Sequence, residues 1–125
     1  MRFVQTAQVD ERVRTVKQPD DVLYESMRYI VAHEVGHCLG LMHNMSASAA
    51  FPVDSLRSVT FTNKYGTTAS IMDYARFNYV AQPEDEVERI TPVIGVYDKF
   101  AINWAYRWLD VKDPHEELPV LNQWI

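Results

Sequence analysis

The chain has 125 residues, with 47% hydrophobic and 23% charged side chains, which is typical of one small globular domain and excludes a disordered chain. The formal net charge is −5 and the sequence holds no basic cluster, so nucleic acid is not an expected partner. No apolar run approaches the ~20 residues of a membrane span, and residues 1–6 lack the apolar segment of a secretory signal. The single Cys38 excludes a framework of internal disulfides.

The strongest element is a helix predicted from about Asp21 to about Leu39, after an arm or short helix in residues 1–19. Pro19-Asp20-Asp21 is a favourable helix start, with Asp20 as the capping residue. Gly40 supplies the stop. Apolar side chains between these bounds recur at three- and four-residue steps: Val22, Leu23, Met27, Ile30, Val31, Val35, Cys38 and Leu39.

Residues 44–70 are rich in Ser, Thr, Asn and Pro and predict a long loop, with a short strand at residues 59–62. A loop of this length inside a compact domain is usually functional. Ser70-Ile71-Met72-Asp73-Tyr74 predicts a tight turn beside something buried, and Pro83-Glu84-Asp85-Glu86 predicts an exposed acidic loop.

A second helix is predicted from about Gly95 to about Leu109, followed by an irregular tail that contains Pro114 and Pro119. Its apolar stripe is expected to pack in the core rather than to bind a ligand, and consists of Tyr97, Phe100, Ala101, Trp104 and Trp108.

The chemistry is concentrated between residues 33 and 43. His33 and His37 are one helical turn apart, so both imidazoles leave the same face and can reach one ion at about 2.0–2.1 Å. Glu34 lies beside His33, where its carboxylate can reach a water on the metal without being a ligand. The spacing therefore predicts a metal site with a neighbouring base.

A third histidine, His43, can join this site only if the helix ends first. On a continuing helix it would lie about 9 Å further along the axis than His37 and point about 120° away. Gly40 sits where the chain must turn back, because glycine tolerates the positive φ that such a turn requires. Three nitrogens would leave a fourth position open, as in a catalytic rather than a structural zinc site.

Two other candidate ligands are set aside. Cys38 follows His37 and points about 100° away from the metal face, so it is expected to be a small buried hydrophobe. His115 lies in a charged tail and is expected to be a solvated surface residue.

Residues 33–43 are similar to the metzincin motif His-Glu-x-x-His-x-x-Gly-x-x-His, and residues 70–74 resemble the Met-turn that follows it about thirty residues downstream. The longer pattern over residues 20–108 resembles large, usually exported, bacterial zinc-dependent metalloproteases of the Met-zincin type. The resemblance implies an α+β zincin-like catalytic domain that binds Zn²⁺. It also implies that Met72 packs beneath the histidines and that Tyr74 steadies the oxyanion.

Only 32 residues precede His33, too few for the sheet that metzincins place before the active-site helix. Residues 1–125 are therefore expected to be a partial, mainly α domain with long loops, whose uncovered apolar surface favours self-association. The parent protein is expected to be exported, by the same resemblance.

The expected function is hydrolysis of proteins or peptides by a zinc-bound water that Glu34 activates. Carboxylates are expected to orient the histidines, with Asp73 and Asp98 as candidates, although a turn residue and a helix-start cap are the favoured readings of these two. The alternatives are a zinc-binding but inactive interaction module, another zinc amide hydrolase, and a structural zinc site closed by a fourth ligand.

Overall fold

The computed structural model describes residues 11–125, and within this range helices and loops form the fold without a strand. The α-helices are α1 (Asp20–Cys38), α2 (Val59–Tyr65), α3 (Val96–Tyr106) and α4 (Leu118–Leu121). Short 3-10 helices span Glu11–Arg14, Ala47–Ala49, Val53–Arg57, Pro83–Asp85, Pro114–Glu116 and Asn122–Trp124. The mainly helical character is therefore confirmed, whereas the sheet of an α+β zincin-like domain is not formed by residues 11–125.

The part of the predicted N-terminal arm before residue 11 lies outside the described residues, and the remainder begins with the 3-10 helix Glu11–Arg14, in which Val13 is buried. None of the helices in the described range combines the length and the hydrophobicity that crossing a bilayer requires.

Helix α1 runs from Asp20 to Cys38, within one residue of the predicted bounds. Its N-cap is Pro19, and no side chain caps its first turn, so the predicted capping by Asp20 is wrong. Asp20 and Asp21 lie inside the first turn instead, where their negative charges interact favourably with the helix dipole. Proline fits at this boundary for two reasons. Its ring restricts φ to values near the observed −59°, and a helix start does not need the backbone N–H that proline lacks.

The buried face of α1 packs on the turn at residues 70–74. Tyr29, Ile71 and Met72 form a hydrophobic cluster, and Ala32 and Leu41 pack against it. This contact fixes the rotation of α1 about its axis. His33, one helical turn after Tyr29, therefore also faces residues 70–74.

Much of the apolar surface of α1 and α3 is not covered by the described residues. The aromatic stripe of α3 was expected in the core, but Tyr97 is 49% exposed, Phe100 40% and Trp104 41%. An open groove of about 630 Å³ between α1 and α3 is lined mostly by apolar side chains. The prediction of core packing is therefore wrong for this stripe, because periodicity identifies the apolar positions of a helix but not what covers them. On α1 the exposed apolar side chains include Leu23, Met27, Ile30, Val31 and Val35.

Helix α3 spans Val96–Tyr106 and is shorter than the predicted 95–109. Its C-cap, Arg107, has extended backbone angles of φ −66° and ψ 125°, which take Trp108 and Leu109 out of the helix. Trp108 is 84% exposed, so its side chain adds little packing that would stabilise a further helical turn.

The strand predicted at residues 59–62 is wrong, because these residues belong to α2. The β-branched residues Val59, Thr60 and Thr62 favour a strand by propensity. Helix-specific hydrogen bonds outweigh that preference: the Ser58 hydroxyl accepts from the Phe61 amide at 3.3 Å, and the Thr62 hydroxyl donates to the Ser58 carbonyl at 2.9 Å.

The long segment of residues 44–70 is held in place by contacts with residues 78–85. Arg57 forms a bidentate ion pair with Asp85, with N···O distances of 2.7 and 2.9 Å. The Asn78 side-chain amide donates to the Leu56 carbonyl at 2.7 Å. The predicted acidic loop is thus partly a 3-10 helix, and Asp85 is half-buried rather than exposed.

Candidate metal centre

Helix α1 supplies the first two histidines of the candidate site. His33 lies one turn after Tyr29 and is buried, at 6% exposure, whereas His37 is half-buried. Their ring centroids are 4.9 Å apart, with the planes at 85°. Helical spacing thus places both rings on one face of α1, as the sequence predicts.

The chain leaves α1 through a Schellman motif at Gly40, which has φ +81°. The Leu41 amide donates to the Gly36 carbonyl at 3.0 Å, and the Gly40 amide donates to the His37 carbonyl at 2.9 Å. Leu41, the residue after this glycine, packs against the hydrophobic cluster of Tyr29, Ile71 and Met72. Gly40 therefore reverses the chain at the predicted position and with the predicted backbone conformation.

The reversal brings His43 to the two helical histidines. Its Nε2 atom lies 3.0 Å from Nε2 of His37, and its ring centroid is 5.3 Å from that of His33. One ligand nitrogen from each ring lies within 4.8 Å of the other two. Two ligands on one tetrahedral zinc ion are about 3.3 Å apart, given Zn–N distances of 2.0–2.1 Å. The 3.0 Å separation of the His37 and His43 nitrogens is close to this value, and the cluster is compatible with a metal ion.

Backbone carbonyls orient the two helical histidines. Nδ1 of His33 lies 2.8 Å from the Ile71 carbonyl oxygen, and Nδ1 of His37 lies 2.9 Å from the Leu41 carbonyl oxygen. A carbonyl can only accept, so each Nδ1 carries the proton and each Nε2 presents its lone pair to the shared centre. The Schellman motif thus also supplies the carbonyl that fixes the ring of His37.

Neither the Asp73 nor the Asp98 carboxylate contacts a histidine in the described range, and the favoured reading of Asp98 as a helix-start cap is confirmed. The Asp73 carboxylate accepts from the Ser48 amide at 2.7 Å. The Asp98 carboxylate accepts from the amides of Ile71 and Gly95, each at 2.7 Å, and so acts as the helix-start cap of α3. A backbone carbonyl rather than a carboxylate orients His33, because the turn at residues 70–74 brings the Ile71 carbonyl next to its ring.

Met72 lies beneath this face of α1 and is 1% exposed. Its carbonyl accepts from the Asn44 amide at 3.0 Å, which ties the segment after His43 to the turn. A Cβ atom on Gly36 would lie 2.3 Å from the Met72 sulfur, so only glycine allows this approach. Sequence reasoning missed Gly36, although a glycine in a helix interior, which costs about 1 kcal/mol relative to alanine, was the available signal.

Gly95 is a second close approach that the motif analysis missed. A Cβ atom there would lie 2.0 Å from the Ala69 carbonyl oxygen and 2.8 Å from the Ser70 amide nitrogen. The Tyr97 amide also donates to the Ala69 carbonyl at 2.9 Å. The start of α3 is therefore in contact with the backbone of the turn.

Tyr74 lies against the histidines. Its ring is stacked on that of His33 at 5.6 Å between centroids and 23° between planes, and it lies 4.4 Å from the ring of His43. Tyr74 is 63% exposed, and its hydroxyl has no hydrogen-bond partner within residues 11–125. The ring thus borders the centre, and its hydroxyl is available to another molecule.

The remaining sequence candidates are not part of the cluster of three histidines. Glu34 is exposed, and its carboxylate has neither an ion pair nor a hydrogen bond within the described range. Cys38 is exposed, so the prediction of a buried hydrophobe is wrong, and His115 is exposed as expected. In the part of the chain that the structure describes, no fourth Cys, His, Asp or Glu joins His33, His37 and His43.

Comparison with known proteins agrees with this geometry. The model of the Met-zincin family matches residues 15–125, which is nearly all of the chain. No curated protein and no solved structure shows a detectable match. Zinc is the metal that this family implies, and the histidine cluster is compatible with it. The chain therefore belongs to the Met-zincin family of metallopeptidase-like proteins.

Proposed function

We propose that this protein is a zinc-dependent metallopeptidase that hydrolyses peptide bonds in protein or peptide substrates. The observation that best supports the proposal is the meeting of three histidine nitrogens within 4.8 Å. The absence of a fourth protein ligand in the described range leaves room for water and substrate, as in catalytic zinc sites. A structural zinc site would need one more ligand.

A bound zinc ion would polarise the scissile carbonyl and lower the pKa of the attacking water toward ~7. The residues of the chain then have separate tasks. His33 and His37 hold the ion in a fixed direction, because their Nδ1–H groups are bound by the Ile71 and Leu41 carbonyls. His43 completes the set from the exposed side of the centre.

Glu34 is proposed as the general base. It follows His33 on α1, and its carboxylate is exposed and engaged by no described residue, so it is free to accept a proton from the water. It would later pass that proton to the leaving amine.

Tyr74 is proposed to donate a hydrogen bond to the oxyanion that develops during the attack. Its ring contacts His33 and His43, and its exposed hydroxyl has no partner in residues 11–125. A hydrogen-bond donor placed in advance where negative charge develops stabilises the transition state, as the donors of an oxyanion hole do.

The decisive experiment is cleavage of a quenched fluorescent peptide by the protein, by Glu34→Gln and by Glu25→Gln. Glu25 is a matched control, because it lies on the same helix and its one ion pair within residues 11–125 is with the exposed Arg28. We expect Glu34→Gln to keep zinc, measured by elemental analysis, and to lose hydrolysis by about 10²–10⁴-fold, the usual contribution of a general base. Cleavage by Glu34→Gln at the unsubstituted rate would show that the base is wrongly assigned.

The same assay separates the alternatives. A zinc-loaded protein that cleaves no peptide, with or without a chelator, would be an inactive interaction module. Activity on non-peptide amides alone would identify another zinc amide hydrolase. Chelator-sensitive cleavage of peptides, restored by zinc, is the result expected of a metallopeptidase.

A further inference from the structure

The carbonyl that orients His33 is itself the end of a longer hydrogen-bonded chain. The Ile71 carbonyl and the Met72 amide belong to one peptide group, and that amide donates to the Ser70 hydroxyl oxygen at 3.1 Å. The Ser70 hydroxyl in turn donates to Oδ1 of Asp98 in a short hydrogen bond. His33 is thus linked to a carboxylate through one peptide group and one hydroxyl.

Every member of this chain is removed from solvent. Ser70 is fully buried, Met72 is 1% exposed, Asp98 3%, Ile71 4% and His33 6%. Hydrogen bonds in such surroundings are little screened, and bonds in series polarise one another. Each donor in the chain points toward the carboxylate, so the negative charge of Asp98 increases the electron density on the Ile71 carbonyl oxygen.

The backbone also confines the position of that oxygen. The other carboxylate oxygen, Oδ2 of Asp98, accepts from the amides of Ile71 and Gly95 at 2.7 Å each. The Ile71 amide is therefore hydrogen-bonded directly to Asp98. The peptide group that contains the Ile71 carbonyl is linked to Asp98 through the Ser70 hydroxyl. A stronger and better-placed acceptor holds the Nδ1 proton of His33 more tightly and makes Nε2 a better ligand.

We propose that Ser70 and Asp98 are positioning residues of the metal centre, which act on His33 through the Ile71–Met72 peptide group. This inference rests on the metal centre of the proposed function, but not on catalysis. In many zinc sites a carboxylate accepts a hydrogen bond directly from a metal-binding histidine. Here the Asp98 carboxylate acts on His33 indirectly, through the Ser70 hydroxyl and one peptide group. Neither residue touches the metal ligands, so neither is a catalytic residue.

The test compares Ser70→Ala with Thr68→Val. Thr68 is a matched control, because it is also fully buried and its hydroxyl donates to the Ser70 carbonyl at 3.3 Å, which is outside the proposed chain. The first measurement is the zinc Kd, by competition with a chromophoric chelator. We expect Ser70→Ala to weaken zinc binding by about tenfold, the lower end of the effect of outer partners on metal affinity, and Thr68→Val to leave it nearly unchanged.

The second measurement needs no metal. In the metal-free protein, the NMR signal of the His33 Nδ1 proton is expected to move upfield in Ser70→Ala and to stay in place in Thr68→Val. Equal zinc affinity and an unmoved Nδ1 signal in Ser70→Ala would overturn the proposal. If the unsubstituted protein bound no zinc, the proposed function would fail, while the Nδ1 signal would still decide the inference.

The unsubstituted protein provides a third measurement should Ser70→Ala fail to fold. A serine hydroxyl buried between an amide and a carboxylate exchanges its proton slowly with water, so the Ser70 hydroxyl is expected to give a resolved NMR signal. A Ser70 hydroxyl proton that exchanged as fast as those of exposed serines would contradict the hydrogen-bonded chain.

Discussion

The contact between Gly36 and Met72 gives a specific prediction, because it reverses the usual effect of replacing a glycine in a helix by alanine. An alanine Cβ at position 36 would lie 2.3 Å from the Met72 sulfur and 3.2 Å from its terminal methyl group. Met72 is 1% exposed, so its thioether is already packed and is the group that the new Cβ would displace. Gly36→Ala therefore forces a buried side chain out of its packed position.

The expected magnitude is the difference between two opposing effects. In an exposed helix interior, replacing glycine by alanine stabilises the fold by about 1 kcal/mol. Overpacking a buried site costs about 1–3 kcal/mol. We therefore expect Gly36→Ala to lower the free energy of unfolding by about 1 kcal/mol, although alanine is the better helix former.

Urea unfolding of a double-mutant cycle isolates the contact. Met72→Ala removes the atoms that the new Cβ meets, so adding Gly36→Ala to Met72→Ala is expected to be neutral or stabilising. The coupling between the two substitutions should reach about 1–2 kcal/mol, within the range for residues in direct contact. If Gly36→Ala stabilised the protein equally with and without the Met72 side chain, the assigned packing would be refuted.

Two further predictions concern the surroundings of the centre. Gly95→Ala is expected to destabilise the fold by more than Gly36→Ala in the same urea assay, because its Cβ would meet the Ala69 backbone, which cannot rotate away. The hydrogen-bonded Arg57 lowers the pKa of Asp85 below its usual value, so this pair stabilises the fold above about pH 3.9 and less as the pH falls through the lowered value. Arg57→Gln should therefore be destabilising at pH 7, with a difference from the unsubstituted protein that narrows toward pH 3; a constant difference would contradict the pair.

The local sequence was sufficient for the features that depend on neighbours in the chain. The one-turn spacing of His33 and His37 places both rings on one face of any helix. Gly40 marks the end of α1, since it is the residue that most readily adopts the observed φ of +81°. Residues 21–39 were predictable as a helix because their periodicity and boundaries are local properties. The family resemblance of residues 33–43 and 70–74 depends on the same short-range spacings.

Features that depend on distant parts of the chain were not predictable in this way. Residues 59–62 looked like a strand because propensity does not include the capping bond from Ser58 to Phe61. The sequence placed Asp98 near a helix start, but it did not show that the carboxylate reaches the Ile71 amide, 27 residues earlier in the chain. The exposure of Tyr97, Phe100 and Trp104 depends on which parts of the chain cover them, and the composition does not contain that information.

The sequence by itself determined the three candidate histidines, the glycine that reverses the chain and the helix that carries the first two histidines. Only the tertiary structure decided which atoms hold the rings, since the Ile71 carbonyl is 38 residues from His33 and is brought there by packing on Met72. The physical reason is one of range. Backbone dihedrals and helical spacing act over a few residues, whereas the direction of an imidazole and the space for a side chain are set by atoms that meet only after folding.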